Sequence, residues 1–133
     1  MRIDYEYIKD MLDIFQSTPE PTLTCIHFVH PNESQEAVNK YAFHLQILHD
    51  KGLVVGVPEK NNLGLIHTMK GFGLSRSRIR LTNAGHEFAI NLNKPGVIEF
   101  IKEKVKDEGL GAVIDIAKDL GSGYLKKKLG LSD

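Results

Sequence analysis

The sequence predicts a mixed α+β fold in which helix dominates. Apolar residues recur at spacings of three and four in five segments, and three shorter runs are β-branched or alternate with period two. Glycine or proline stands at most junctions between these segments. With 133 residues, 41% of them apolar and 26% charged, the chain has the size and balance of one ordinary soluble domain. At that length about two-thirds of the unfolded surface can be buried, so stability requires neither disulfides nor a structural metal.

The first helix opens on Asp4 as N-cap and places Tyr7, Ile8, Met11, Ile14 and Phe15 on one side, opposite Glu6, Asp10 and Asp13. Pro19 and Pro21 lack N–H donors and stop it near Ser17. Residues Thr22 to Val29 are β-branched and aromatic between two prolines, and read as a short strand. A second helix follows Asn32, where Asn32, Glu33 and Ser34 offer caps and Gln35 can close back on Asn32, with Val38, Tyr41, Ala42, Leu45 and Leu48 on its apolar face. Gly52 suits its left-handed end, and Leu53 to Val57 reads as a strand returning at once.

Residues 59–75 hold three glycines and two adjacent asparagines, as a long hairpin or embellished loop would. In Ser77 to Thr82, Ile79 and Leu81 alternate with Arg78 and Arg80, the pattern of a strand with one face inward. Thr82 or Asn83 caps a third helix running to Leu92. Pro95 sits in the first turn of a fourth, and Leu110 to Leu131 forms a fifth that Gly121 and Gly123 weaken at its centre. Helix, strand, helix, strand, glycine-bearing loop and Arg-x-Arg strand is the order of a winged-helix module. The expected fold is therefore a winged-helix α+β domain over residues 1–92, followed by a C-terminal helical extension over 93–133.

Two motifs carry a likeness to a known family. His44-Leu45-Gln46-Ile47-Leu48-His49-Asp50-Lys51-Gly52-Leu53 is followed by Arg80-Leu81-Thr82-Asn83-Ala84-Gly85-His86-Glu87-Phe88. Together they resemble the bacterial and prophage family known as domain of unknown function 2513, whose second motif has the form R-L-T-x-x-G-H-x-F. The likeness runs through the following helices to Leu-Gly-Leu at 129–131, with a gap over the wing. It implies a fold and a prophage habitat and no reaction. The second motif also has a purely physical reading. Leu81 ends a core strand, Thr82 caps a helix, Gly85 lets that helix approach a neighbour, and Phe88 packs one turn later. Arg80 and His86 are the two members that a recognition surface would use instead.

Seventeen basic and seventeen acidic residues cancel over the whole chain but not along it. Residues 1–59 hold four basic and nine acidic side chains, 60–94 six and one, and 95–133 seven of each. The central segment is thus the expected contact surface, with Lys70, Arg76, Arg78 and Arg80 placed to meet phosphates. The same charges also suit a solvated edge strand. On the second helix, Asn39, Lys40 and His44 are the exposed candidates. That helix carries no arginine, and Glu33 and Glu36 lie at the end that would enter a groove, which disfavours base-specific DNA reading.

Enzyme signatures are absent. Gly71-Phe72-Gly73 lacks the third glycine of a dinucleotide fingerprint, no lysine follows a phosphate loop, and no G-x-S-x-G surrounds Ser75 or Ser77. Cys25, His27 and His30 are the best metal candidates, yet no second ligand pair stands at finger spacing, so neither metal nor cofactor is expected. The single cysteine fits a reducing compartment. The first residues lack an apolar h-region, and no run approaches the ~18 apolar residues of a membrane span. A cytoplasmic location is the expectation. The functional expectation is a noncatalytic regulatory or adaptor protein, acting through a protein partner or weak nucleic-acid binding. The alternative is a self-assembling or membrane-contacting effector driven by the C-terminal helices. For that tail, closing the domain ranks first, partner or self-association second and membrane contact last, because Asp115 and Asp119 interrupt its apolar character.

Overall fold

The computed structural model describes residues 1–131. Its elements are α1 (Tyr5–Ser17), α2 (Gln35–Asp50), β1 (Val54–Val57), β2 (Leu65–Thr68), β3 (Gly71–Leu74), β4 (Arg78–Leu81), α3 (Asn83–Leu92), α4 (Val97–Lys104) and α5 (Leu110–Lys128). Two small antiparallel sheets, β1 with β4 and β2 with β3, accompany the five helices, so the α+β class holds.

Helix α1 begins where Asp4 accepts the Tyr7 N–H, and it buries Tyr5, Ile8, Met11, Leu12 and Phe15 against α3 and α4. The segment after it departs from the expected strand. Only Leu23 pairs with β4, exchanging both backbone bonds with Ile79 at 2.8 Å. The His27 ring then accepts the Thr24 N–H and turns Cys25–His27 into a single 3-10 turn. A local side-chain bond to the backbone here outcompetes β propensity.

Helix α2 is capped by Ser34, which accepts the Ala37 N–H, and Gln35 does not return to Asn32. Leu53 bonds back to Leu48, and β1 follows directly. In β4 the alternation is as the residues dictate, with Ile79 and Leu81 buried and Arg78 and Arg80 exposed. Thr82 caps α3 through the Gly85 N–H and also donates to the Gly52 carbonyl at 2.6 Å, tying the helix start to the α2 end. Gly85 lies against the Leu53 backbone, where a Cβ would stand 2.2 Å from the carbonyl oxygen.

Pro95 precedes the N-cap Gly96 instead of entering the first turn of α4. Helix α5 runs unbroken through Gly121 and Gly123, and Gly121 occupies a spot where a Cβ would meet the Asn91 amide. It buries Leu110, Val113, Ala117 and Gly121, and ends in a paired cap in which Gly130 bonds to Lys127 and Leu131 to Lys126. The side chains of Val97, Ile101, Leu110, Val113 and Ala117 join those of α1, α2 and α3 in one apolar core. No helix among the described residues is long and apolar enough to cross a membrane.

Candidate functional site

The surface that the sequence marks as a contact site is divided by the hairpin β2–β3. Its strands are joined by Met69 and Lys70, and Leu65, Phe72 and Leu74 lean on the core. The opposite face carries Ile66, Thr68, Gly71 and Gly73. Because Ser75 bonds to the Gly64 carbonyl, the alternation places the N–H and C=O of Phe72 on the outer edge of β3. There the Phe72 N–H donates to Asn39 Oδ1 at 3.0 Å, and its carbonyl accepts from Gln35 Nε2 at 2.8 Å. Gln35 Nε2 also bonds to Asn39 Oδ1 at 2.9 Å, so two amides on one turn of α2 act as the missing strand. On the other edge the Asn62 side chain accepts the Gly64 N–H and donates to the Leu65 carbonyl. Gly71, at φ 130°, has no room for a Cβ against the Asn39 amide.

Three expected contact residues on α2 are therefore structural. Asn39 is committed to the hairpin. Lys40 reaches Asp4 at 3.1 Å and lies over the Tyr7 ring, 4.8 Å from its centre. His44, expected on the exposed side, is only 1% exposed. Its Nε2 accepts the Asp4 N–H at 2.9 Å, and its Nδ1 donates to the Lys40 carbonyl at 2.8 Å, which selects the neutral ring. Burial is the largest influence on it and holds its pKa below the usual 6.5, against the opposing pull of the Lys40 carbonyl and Asp4. The sequence signal was available. His44 lies three residues after Tyr41 and four before Leu48, on the apolar stripe.

The basic strand is different. Arg76, Arg78 and Arg80 are exposed, and none of them, nor Lys70 at the hairpin tip, enters an ion pair among the described residues. Arg78 donates to Thr22 through its hydroxyl and carbonyl at 3.2 and 3.3 Å, and Arg80 donates to the Leu81 carbonyl at 3.1 Å. On one strand face Arg78 and Arg80 stand about 6.8 Å apart along the chain, opposite Val57 and Val55. His86 is exposed on α3, with Nδ1 3.5 Å from the Gln16 amide, beside a small cleft with Phe15, Pro21 and Leu81. It does not join the arginines in any hydrogen bond or ion pair.

Cys25, His27 and His30 do not converge. The Cys25 thiol is buried and donates to the Ser75 carbonyl, and burial raises its pKa although Arg76 opposes this. His27 faces Glu20, and His30 accepts the Asn32 N–H. Among the described residues no three His, Cys, Asp or Glu side chains come together as metal ligands would. A cleft of about 1030 Å³ lies between the first residues, α2 and the turn from α4 to α5. Several of its charges are paired, Lys102 with Glu6 at 3.0 Å and Arg2 with Asp107 at 4.0 Å. Comparison with family models, curated proteins and solved structures finds no match to this chain.

Proposed function

We propose that the chain is a noncatalytic module of winged-helix type that meets a polyanion through Arg76 and the arginines of β4, with β2–β3 as the wing. The observation that carries this reading is the row Arg76, Arg78 and Arg80, exposed and outside every ion pair among the described residues. It lies in a segment with six basic residues and one acidic residue. The order of elements supports the winged-helix part: α2 leads into β1, a hairpin separates β1 from β4, and Leu23 extends the β1–β4 sheet on the far side of β4.

The ligand class follows from what the surface lacks. A base-reading helix presents free donors to the major groove, and here Gln35 and Asn39 are held by the hairpin backbone. What remains is a row of guanidinium groups suited to phosphate oxygens. Binding is then weak, indifferent to sequence and salt-dependent. The test is a titration of duplex and single-stranded DNA over a range of salt, comparing wild type with Arg76→Ala/Arg78→Ala. Loss of two phosphate contacts lowers the slope of log affinity against log salt by about 1.8 for duplex. A slope unchanged in the double variant, or no binding at low salt, would refute the reading and leave a protein partner as the ligand of this surface.

A further inference from the structure

The end of α5 stands apart from the core. Gly121 is the last buried residue on the helix, and Leu125, Leu129 and Leu131 are 45%, 62% and 60% exposed. The cap at Gly130, with φ 73°, folds Leu131 back through its bond to the Lys126 carbonyl. Leu131 thereby lines a shallow groove with Leu120, Gly123 and Tyr124. The result is an apolar tip, Leu129 and Leu131, directly after three consecutive lysines, Lys126 to Lys128, all exposed.

We propose that this tip docks reversibly on an anionic lipid surface. Charge complementarity selects the occupant. From Leu120 to Leu131 the sequence holds three basic residues and no acidic one, and Asp133 follows outside the described residues. Of the two acids that break up the apolar pattern, Asp115 lies upstream of the tip, and Asp119 lines the groove beside Leu131, where Lys126 and Lys127 outnumber it. Consecutive helical residues are turned about 100° from one another, so the three lysines fan around the helix and do not line one side. A partner groove reads one side of a helix. A headgroup layer entered by the helix end meets the whole collar while the leucines pass below it. This surface does not include β4, so the inference stands apart from phosphate binding by the arginines.

The test is co-sedimentation of the full chain with phosphatidylcholine vesicles, alone or with about one-third phosphatidylglycerol, at low and high salt. The expected result is binding to the anionic vesicles only, weakened by salt. Lys127→Gln/Lys128→Gln lowers the partition coefficient about 25-fold, at about fivefold per lysine. Leu129→Ser/Leu131→Ser also lowers it, and each tip variant lowers it more than Arg78→Ala/Arg80→Ala does. All four tip positions are exposed, so both tip variants keep the wild-type urea midpoint, and Leu129→Ser alone serves if the double change does not. No binding, equal binding to neutral vesicles, or loss of binding only in the arginine variant would overturn the proposal. A concentration-dependent dimer in light scattering, dissolved by Leu129→Ser/Leu131→Ser without any vesicle binding, would overturn it in favour of a second copy.

Discussion

Gly85→Ala tests how the second sequence motif holds the fold together. The new Cβ would stand 2.2 Å from the Leu53 carbonyl oxygen and 3.0 Å from Leu81 Cδ2. Neither can simply retreat. The Leu53 carbonyl accepts the Thr82 N–H at 2.9 Å, and Leu81 is buried in the core. Relieving the clash means moving α3 away from the start of β1, which also strains the bond from Thr82 Oγ1 to Gly52. Overpacking of this kind costs about 1–3 kcal/mol, and one or two weakened hydrogen bonds add about 1 kcal/mol each. The helix preference for alanine returns at most about 1 kcal/mol. A net loss of about 3 kcal/mol follows. At about 2.1 cal/mol/K per residue, 133 residues have an unfolding entropy of about 0.28 kcal/mol/K, so Tm falls by about 10 °C. Thermal and urea unfolding measure this directly. Gly123→Ala is the control, since no heavy atom lies within 4 Å of its Cβ, and Tm there rises by up to about 3–4 °C. Gly121→Ala falls between them, because its obstacle is the movable end of Asn91. A Gly85→Ala protein as stable as wild type would refute the interlock.

The remaining predictions concern single groups. His44 has a lower pKa folded than unfolded, so the unfolded chain takes up the proton first; stability is constant above about pH 6.5 and falls as pH drops through it towards the folded value. Urea midpoints from about pH 8 to about 5.5 read this, and an undiminished slope in His44→Gln would exclude His44 as its source. Gln35→Ala/Asn39→Ala uncovers the β3 edge, so amide exchange at residues 65–74 speeds up by about fivefold or more, for about 1 kcal/mol per lost bond. Exchange unchanged there would show that core packing alone holds the hairpin. The Tyr41 hydroxyl is buried without a hydrogen-bond partner among the described residues, so Tyr41→Phe is neutral or stabilising by about 1 kcal/mol; a destabilisation of about 1 kcal/mol or more would mean the hydroxyl is satisfied.

The helices were legible because their signals are local. Asp4, Ser34 and Thr82 cap as their chemistry directs, and the apolar stripes at spacings of three and four are the faces buried. The strand expected after Pro21 failed for an equally local reason that composition hides: the Thr24 N–H bonds to a ring three residues on, and β propensity loses. Candidate contacts on α2 were misplaced because helical spacing says which residues share a face and not what covers it. Nothing near Asn39 in sequence announces that Phe72, 33 residues away, supplies its partner. Arg78 and Arg80 were legible because alternation within a strand decides exposure without help from elsewhere, whereas Arg76 is exposed in the segment before the strand. Likewise Gly121 was read as a weak point of α5, when its missing side chain is the space that Asn91 fills.

The Tyr5 hydroxyl donates to the backbone carbonyl of Glu108, 103 residues along the chain. This bond places the first turn of α1 and the entry to α5 in one closure, and it bears on how the protein is made. A ribosome adding 5–20 residues per second needs about 5 to 20 s between the two ends of that bond. Throughout this interval the apolar side of α1, with Ile8 and Leu12, has yet to receive the α4 residues that complete its cover. Helix α1 therefore emerges well before the helix that covers it, and its exposure to chaperones is set by the rate of synthesis.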